Sequence, residues 1–371
     1  MNEEKKGSSA YGTFTVTHDI TRYTRAGVFN QVGKQTRTVL RFSTAGGEKG
    51  SADTERAPRG FALRFYTEDG HWDLAGNNTP IFFMRDPKKF SDFIHTQQRD
   101  PYTNCKSPTM MWDFWSLNPE SLHQLLFLMS DRGAPYGYRH MHGFGNHTFS
   151  MINDKNERVW VKFHFKCAQG IKNFTAKEAM KMKAEDPDFA QRDLLEAIDR
   201  KEFPKWRLKI QVMPPGRASR HPFHPFDLTK TWSQKEFPLI DVGILELNEN
   251  PKDYSAEMEQ DALTPAQVVP GIDHAPNSFD CNGAGENDHY SQPGIFYREV
   301  LGPQEKKNLV HNIAGAMSGI AGPKRGEIIK RQLCHFFRAD IGLGMAIANA
   351  LGIHVDDAIN QVKHQAPVAV S

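Results

Sequence analysis

The 371-residue sequence is poor in cysteine, in excess charge and in long apolar runs. Its four cysteines have no C-x-x-C or other close metal-binding spacing, which favours reduced, buried thiols over a zinc site or disulfide framework. The net charge of +2 gives no reason to expect nucleic acid or an anionic membrane as a partner. No apolar run has the length of a transmembrane helix, and the first residues contain no secretory signal, so we expect a cytoplasmic protein. Nucleotide-binding fingerprints are also missing, and the Gly-Phe-Gly tripeptide at 143–145 predicts only a turn.

Histidine is the residue type that stands out among the potential metal ligands. His140, His142 and His147 form an H-x-H-x4-H pattern, and His221 and His224 form an H-x-x-H pattern. A metal site needs several converging ligands, and neither pattern has a carboxylate or thiolate placed with it. We therefore predict no metal site from these residues. A metal enzyme that uses the first three histidines is the least favoured of the alternatives.

Alternation of polar and apolar residues predicts β-strands through the first two-thirds of the chain. In the two clearest runs, 159–165 and 206–213, every second residue is apolar, which indicates strands with one buried face. Turns that contain Gly or Pro separate such runs, and this favours an antiparallel sheet that is closed or strongly curled. The further strand candidates are 11–18, 38–43, 61–66 and 239–247.

Helices are predicted where apolar residues recur at helical spacing. Thr175 and Glu178 form a capping box that opens a helix to about Ala184. The composition of residues 270–292, rich in Gly, Asn, Asp and Pro, indicates a linker. The other predicted helices are 116–129, 304–317, 327–337 and 342–351. We therefore expect a barrel domain over 1–250, a shortened connecting segment over 251–300 and a helical domain over 301–371.

Two short strings combine polar and aromatic residues, and each allows both a structural and a functional interpretation. Arg41 and Ser43 flank Phe42, so the two polar side chains share one strand face. A buried arginine there needs an anionic partner, either a carboxylate or an acidic group of a cofactor. The string Gly76–Phe83 places two amides before a proline and two aromatic residues. It is either an Asx turn leading into a buried strand or an amide held over an aromatic pocket for a small polar substrate.

Ten strings of this chain, in the same order and at the same spacing, resemble haem catalases. The resemblance is nearly gapless from Lys6 to about Ile272, resumes at Asn312–Gly315, and looks like the small-subunit branch of that family. The strings are Phe14–Thr21, Arg41–Thr44, Gly50–Thr54, Gly76–Pro80, Phe93–Gln97, Trp112–Trp115, Ser130–Gly133, Tyr138–Met141, Phe223–Lys230 and Val269–Ile272.

The resemblance implies an α+β fold, an antiparallel eight-stranded catalase-type β-barrel with helical insertions and a C-terminal all-α domain. It also implies a buried haem b, a homotetramer, and disproportionation of hydrogen peroxide to water and dioxygen. In the mechanism that it implies, a distal His moves a proton between the two peroxide oxygens and an Asn orients the peroxide. A proximal Tyr phenolate, held by an Arg, ligates the iron.

The match to the family assigns a role to each residue of the two open strings. Asn77 takes the role of the orienting amide, which favours the functional interpretation of its string. Ser43 lies where a Ser supports the distal His, and Arg41 matches a partner of a haem propionate. The aromatic residues of the haem pocket are by match Phe82, Phe83 and, over the haem plane, Phe90.

Many members of this branch also bind NADPH on the barrel surface, and part of that site is present. Four positions nearby carry residues that are unusual in NADPH-binding members: His142, Phe144, Thr231 and Gln234. The six residues that match are His123, Phe127, Ser130, Arg132, Lys166 and Trp232. The resemblance therefore makes NADPH a candidate second cofactor.

Three departures from the family pattern concern the catalytic machinery. Glu4 stands where the distal His is expected, and the arm before it, with an Arg that grips haem, is absent. No Arg-x-Phe-x-Tyr string follows Ile272, so the proximal ligand is missing; His274 is an alternative donor, whereas Tyr290 matches a different, later stretch. Ala57 stands where an Asp lines the access channel.

Two functional hypotheses follow from the resemblance and the departures. The first is a catalase whose activity is impaired because the distal His and the proximal Tyr are missing. The alternative is a catalytically inactive scaffold with the same fold, or a protein that binds haem weakly. Because the arm and the segment after Ile272 interlock the family tetramer, we also expect weaker self-association.

Overall fold

A computed structural model of the chain describes residues 5–48, 50–254, 257, 270–273 and 288–354. These residues form two compact units, of which the first contains the described parts of 5–82 and 132–273. The second contains 83–131 and 288–354. Glu4, His274 and Cys281, on which part of the sequence interpretation depends, lie outside the described residues.

The first unit is built around one antiparallel sheet. Its strand order is β4-β3-β2-β1-β8-β7-β6-β5-β9. Eight long strands and a two-residue ninth strand agree with the predicted eight-stranded antiparallel barrel, which is confirmed. The strands are β1 Lys5–Val16, β2 Gln35–Glu48, β3 Arg59–Thr67, β4 Gly70–Leu74, β5 Gly143–Ile152, β6 Arg158–Cys167, β7 Lys205–Met213, β8 Ile240–Glu249 and β9 Ile272–Asp273.

The segment 76–78 connects the two ends of this sheet and nearly closes it into a barrel. On one side, the Phe61 N–H of β3 donates to the Gly76 carbonyl oxygen at 2.8 Å. On the other side, Asn77 and Phe144 of β5 exchange two backbone hydrogen bonds, of 3.0 and 2.8 Å. The two amides of the Gly-Asn-Asn-Thr-Pro string therefore lie on the seam of the barrel.

Aromatic side chains fill the barrel interior because every second residue of each strand points inward. Phe42 stacks on Tyr138 with ring centroids 4.8 Å apart, and Phe61 packs edge-on against Trp206 at 5.8 Å. The indole Nε1–H of fully buried Trp206 donates to the Met141 carbonyl oxygen at 2.9 Å. Burying one such ring contributes about 2–3 kcal/mol to the free energy of unfolding.

Two of the sequence predictions for the barrel are wrong. Residues 143–145 are not a turn but the beginning of β5, where a Cβ on Gly143 would lie 2.6 Å from the Phe61 ring. In β6, the polar face is buried as well as the apolar one, since Lys162 and His164 are only 4% and 7% exposed. Loops pack on the outer face of β5 and β6, and this removes the alternation of exposure that the sequence suggested.

Helices complete both units, and the predicted ones are found with small shifts at their ends. The capping box at Thr175 and Glu178 is present, with the Glu178 N–H donating to Thr175 Oγ1 at 3.3 Å. The segment 116–129 is not one helix, because Pro119 begins a 3₁₀ turn over 119–121 that separates two helices. The helices are α1 Phe90–Gln97, α2 Pro108–Leu117, α3 Leu122–Met129, α4 Ala176–Glu185, α5 Phe189–Asp199, α6 Pro215–Ala218, α7 Ser291–Ile295, α8 Pro303–Ser318, α9 Arg325–Ala339 and α10 Ile341–Ala350, with a π-helical turn at Phe296–Val300.

The second unit is helical and is held together by buried apolar side chains and a few polar links. Asn312 Nδ2 of α8 donates to the Met129 carbonyl oxygen at 2.8 Å, and Arg331 of α9 pairs with Asp113 of α2. Within the described residues, no helix is long and apolar enough to cross a membrane.

The cysteines of the described residues are free thiols, as expected, but they are not all buried. Cys105 and Cys334 are exposed and Cys167 is half-buried. The prediction of buried thiols is therefore wrong for the first two. Cys167 donates from Sγ to the Arg139 carbonyl oxygen at 3.0 Å, within the barrel unit.

Candidate functional site: the barrel seam

Four paired positions form a row across the seam of the barrel. Ser43 of β2 pairs with Gly60 of β3, Gly60 bridges to Asn77, and Asn77 bridges to Phe144 of β5. Paired residues project from the same face of a sheet, and this face is opposite to the one that carries Phe42 in the core. The structure therefore brings the predicted Ser43 and Asn77 onto one outer face, separated by a glycine.

Close packing leaves little room for a side chain at Gly60, which lies in this row, and at Gly76, which precedes Asn77. A Cβ on Gly60 would lie 2.3 Å from Ser43 Oγ, and a Cβ on Gly76 would lie 2.3 Å from the Phe144 carbonyl oxygen. Contacts that short do not occur between real atoms, so a side chain at residue 76 would require a shift of the backbone, whereas one at residue 60 would require only that Ser43 Oγ rotate away. The glycine next to Asn77 thus has a packing reason.

The arginine that is buried near the seam is Arg59, not Arg41. Arg41 is exposed, so the premise that it needs a buried anion is wrong. Arg59 is 1% exposed, and its guanidinium donates to the backbone carbonyl oxygens of Asp53 at 2.9 Å, of Glu55 at 2.5 Å and of Ala57. Carbonyl dipoles thus surround this cation, because the turn between β2 and β3 wraps around it.

Arg59 also fixes the chain beside Asn77. Its N–H donates to Asn78 Oδ1 at 2.9 Å, and the Asn78 N–H donates to its carbonyl oxygen at 2.9 Å. This contribution could not be predicted from the sequence, because nothing in the string 76–80 shows which residue it pairs with. Ala57 lies in the same turn and takes part only through its carbonyl group.

The three predicted pocket aromatics differ in exposure and in the unit to which they belong. Phe82 belongs to the barrel unit, is half-buried, and donates from its N–H to the Leu228 carbonyl oxygen at 2.9 Å. Phe83 and Phe90 belong to the helical unit. Phe83 is 1% exposed and packs on Phe93 at 4.5 Å, whereas Phe90 is 47% exposed at the start of α1.

A cluster of basic side chains continues the row beyond Phe144. Phe144 pairs with His164 of β6, and the Lys166 Nζ lies 4.7 Å from the centre of the Phe144 ring. Burial, together with the neighbouring charge of Arg132, lowers the pKa of Lys166 to about 8. Burial and the charges of Lys166 and Arg132 lower the pKa of His142 to about 3. This part of the barrel therefore concentrates positive charge that an anion would stabilise.

The other residues that match the NADPH site are buried in their own units. In the helical unit, the rings of His123 and Phe127 are 5.4 Å apart, and Ser130 Oγ donates to the Phe127 carbonyl oxygen at 2.7 Å. In the barrel unit, Trp232 is 3% exposed and the Lys162 Nζ lies 5.5 Å from its ring centre. Three of the six matching residues thus belong to each unit.

The buried histidine of β6 makes the stability of the barrel unit depend on pH. Burial lowers the pKa of His164 to about 3, and its Nε2–H donates to Gln211 Oε1 at 3.0 Å. The native state therefore keeps His164 neutral, whereas the unfolded chain binds a proton below its ordinary pKa of about 6.5. As the pH falls from about 6.5 towards 3, each such histidine lowers the free energy of unfolding by up to about 1.4 kcal/mol per pH unit.

We therefore expect His164→Gln to make this dependence shallower by about one proton. Urea unfolding at pH 7, 6 and 5 measures the slope. Equal slopes for wild type and His164→Gln would contradict this assignment.

The described residues contain no group of three or more His, Cys, Asp or Glu side chains that could hold a metal ion. His221 Nδ1 lies 3.1 Å from the Phe223 carbonyl oxygen, and His224 Nδ1 accepts the Phe226 N–H at 3.2 Å. One ring nitrogen of each is thus already used by the backbone. The H-x-x-H pattern therefore belongs to a surface loop, where it lines a cavity of about 410 Å³.

Comparison with known proteins settles the family. The family model described as "Catalase" matches residues 4–279, and that described as "Catalase-related immune-responsive" matches residues 284–351. The chain belongs to the catalase family. A catalase of the Onchocerca volvulus endobacterium is 48% identical over 431 aligned residues, covering 95% of this chain and 88% of the relative. A catalase of Aliivibrio fischeri is 60% identical over 274 residues, covering 74% of this chain and 57% of the relative.

Solved structures agree with the catalase fold over nearly the whole chain. A bacterial catalase superposes with a TM-score of 0.88 at 36% identity, covering 93% of this chain and 85% of the other. Catalase A from Saccharomyces cerevisiae gives 0.85 at 36% identity, covering 93% and 88%. The catalase family decomposes hydrogen peroxide and implies a haem cofactor.

Three buried or partly buried phenols of the chain are already held by other groups. Tyr138 is 1% exposed and stacks on Phe42 in the barrel core. Tyr254 Oη donates to the Gly7 carbonyl oxygen at 3.1 Å, and Tyr290 Oη lies 3.0 Å from His335 Nδ1. The row of polar residues at the seam thus fits a haem-facing surface, whereas these three phenols are engaged elsewhere.

Proposed function

We propose that this chain is a catalase-family protein that binds haem weakly and disproportionates hydrogen peroxide far more slowly than its relatives. The observation that carries the proposal is the missing Arg-x-Phe-x-Tyr string. The sequence leaves β9 at Asp273 and continues through Asn277, Ser278 and Phe279 without a tyrosine before Tyr290.

The length of the alignment supports an internal deletion of residues rather than a proximal iron ligand at a different position in the chain. The match to the endobacterial catalase spans 431 positions, whereas this chain has 371 residues. At least 60 aligned positions therefore have no residue here. The match to the Aliivibrio fischeri catalase covers 274 residues at higher identity, as expected if the first part of the chain is uninterrupted.

In this proposal, haem would lie against the seam, with Asn77 as the amide that orients peroxide. Arg41, exposed beside Gly7, would pair with a propionate, and Ser43 would support the distal group. Phe82, which belongs to the same unit, would supply an aromatic contact. Bound haem would supply the redox chemistry of the reaction, whereas these residues bind and orient.

Haem retention tests the proposal. We expect the purified chain, mixed with one equivalent of haemin, to show a Soret band that apomyoglobin removes within minutes, because no axial phenolate holds the iron in this proposal. The Aliivibrio fischeri catalase, treated in parallel, should keep its band. Retention by this chain equal to that of the relative would contradict weak binding.

The alternative is a scaffold without haem or activity, and the partners of the described phenols favour it. Tyr138 packs in the barrel core, and the hydroxyl groups of Tyr254 and Tyr290 are engaged with the Gly7 carbonyl oxygen and His335. A protein that stays colourless after haemin is added, but unfolds cooperatively, would support this alternative over the weak haem protein.

The loss after Ile272 also bears on assembly. In family tetramers this segment wraps between subunits, so we propose a homotetramer that is weaker than usual. Light scattering over a dilution series should show dissociation of this chain at concentrations where the Aliivibrio fischeri catalase keeps its mass. A constant tetramer mass for both proteins would contradict the proposal.

The cationic cluster supports NADPH as a second ligand. Arg132 and Lys166 lie together in the barrel unit, and Lys166 would regain an ordinary pKa beside a phosphate. The His142 Nδ1 accepts the Cys167 N–H at 3.0 Å, so in the neutral ring Nε2–H is the group left to donate to a ligand. We propose that these residues bind the phosphate groups of NADPH and that Trp232 of the same unit contributes to the same ligand.

A further inference from the structure

Asn146 is a buried amide on the seam that no role described above uses. It lies on β5, two residues after Phe144, and is 5% exposed. A buried amide of this kind normally has all of its polar atoms paired, because an unpaired one costs about 1–3 kcal/mol. Its partners therefore show how it is oriented.

Two backbone carbonyl groups determine which end of the Asn146 amide is the nitrogen. One end lies 2.9 Å from the Thr79 carbonyl oxygen and 3.2 Å from the Phe144 carbonyl oxygen. Carbonyl oxygens only accept hydrogen bonds, so this end is the NH₂ group. The other end of the Asn146 side chain is then the oxygen.

That oxygen in turn determines the orientation of Asn77. Asn146 Oδ1 accepts from Asn77 Nδ2 at 2.7 Å. Rotating the Asn77 amide by 180° would bring two amide oxygens together at that distance, which is repulsive. Asn77 therefore gives one Nδ2 hydrogen to Asn146, and its second Nδ2 hydrogen and its Oδ1 remain for other partners.

We propose that Asn146 is a positioning residue that fixes which end of the Asn77 carboxamide donates to peroxide. The inference rests on the proposed role of Asn77 as the orienting amide. A peroxide oxygen accepts a hydrogen bond from the second Nδ2–H but could not do so from Oδ1. Without Asn146, the Asn77 amide is free to rotate, and part of the population presents an acceptor in place of the donor.

The first test observes the Asn77 side chain directly and needs no haem. In protein labelled with ¹⁵N-asparagine, the Asn77 NH₂ pair is identified by its loss in Asn77→Asp. In Asn146→Leu, we expect the downfield proton of that pair to shift towards the position of exposed asparagines and to exchange with solvent at least about tenfold faster. Thr148→Val is the matched control, because it removes a 2.7 Å hydrogen bond from the same strand to the Pro225 carbonyl oxygen and does not touch Asn77.

The second test measures the consequence for a bound ligand. In haem-loaded protein, fluoride accepts a distal hydrogen bond, and Asn77→Leu and Asn146→Leu should each weaken it about tenfold. The double variant should be no weaker than Asn77→Leu, because Asn146 acts through Asn77. Thr148→Val should bind fluoride as wild type does.

The outcomes separate this inference from the proposed function. Unchanged Asn77 resonances in Asn146→Leu, or in Asn146→Ser if the leucine variant does not fold, would overturn the positioning role. Shifted Asn77 resonances in Asn146→Leu would support the positioning role of Asn146. If fluoride binding were at the same time unaffected in Asn77→Leu, the proposed function of Asn77 would be contradicted.

Discussion

Oxygen evolution from hydrogen peroxide, per haem bound, should be at least about 1,000-fold slower for this chain than for the Aliivibrio fischeri catalase, since general acid–base catalysis alone contributes about 10²–10⁴-fold. Glu4 occupies the position of the distal His by match. An unperturbed carboxyl, with a pKa of about 4.3, is too weak a base near neutral pH to accept and return the peroxide proton efficiently.

The proposed lack of a phenolate ligand adds to that loss. An anionic axial ligand sets the potential of haem iron, and without it the iron is less able to complete the two-electron cycle. A Clark electrode measures the rate at equal haem concentration, and free haemin at that concentration is the control for background activity. Turnover within about tenfold of the relative would show that another group replaces the distal His.

Restoring the segment proposed to be lost should restore haem retention, and adding the distal base to that protein should restore turnover. We expect that inserting, after Ile272, the segment of the Aliivibrio fischeri catalase that carries its Arg-x-Phe-x-Tyr string will stop the loss of haem to apomyoglobin. Turnover should remain low in this chimera and rise by about 10²–10⁴-fold only when Glu4→His is added. The insertion would supply the phenolate ligand, and Glu4→His would supply the distal base.

The matched control for the chimera is the same insertion with its tyrosine replaced by phenylalanine. That protein restores the length and the apolar surface of the segment but not the phenolate. If it retains haem and turns over peroxide as well as the tyrosine form, the segment acts by covering the pocket, and the argument from the axial ligand is wrong.

The strands were predictable where one face of the sheet is exposed or half-exposed and the other is not. Residues 206–213 alternate in sequence, and β7 runs over Lys205–Met213. The prediction failed at β5, where Gly143 and Gly145 replace large side chains so that Phe61, Leu74 and Phe163 can approach. A strand that is buried on both faces and contains glycine in place of large side chains shows no alternation of polar and apolar residues.

Only those features of the site that lie within one sequence string could be predicted. The resemblance assigned a role to Asn77, but not the residues that hold it, because Arg59 and Asn146 come from other strands that meet at the seam. Alternation placed Arg41 and Ser43 on one face but gave no information on what covers that face. Exposure of Arg41 and burial of Arg59 depend on the turn between β2 and β3, which is a tertiary feature.

The measurement that tests the central claim most directly is the resonance Raman spectrum of the haem-loaded chain, excited in the tyrosinate-to-iron charge-transfer region. The proposal is that this chain supplies no phenolate to the iron. We predict that tyrosinate modes are absent from the chain and present in the Aliivibrio fischeri catalase and in the tyrosine-bearing chimera. Tyrosinate modes of comparable intensity in the unmodified chain would contradict the claim, since they would show that one of its own tyrosines ligates the iron.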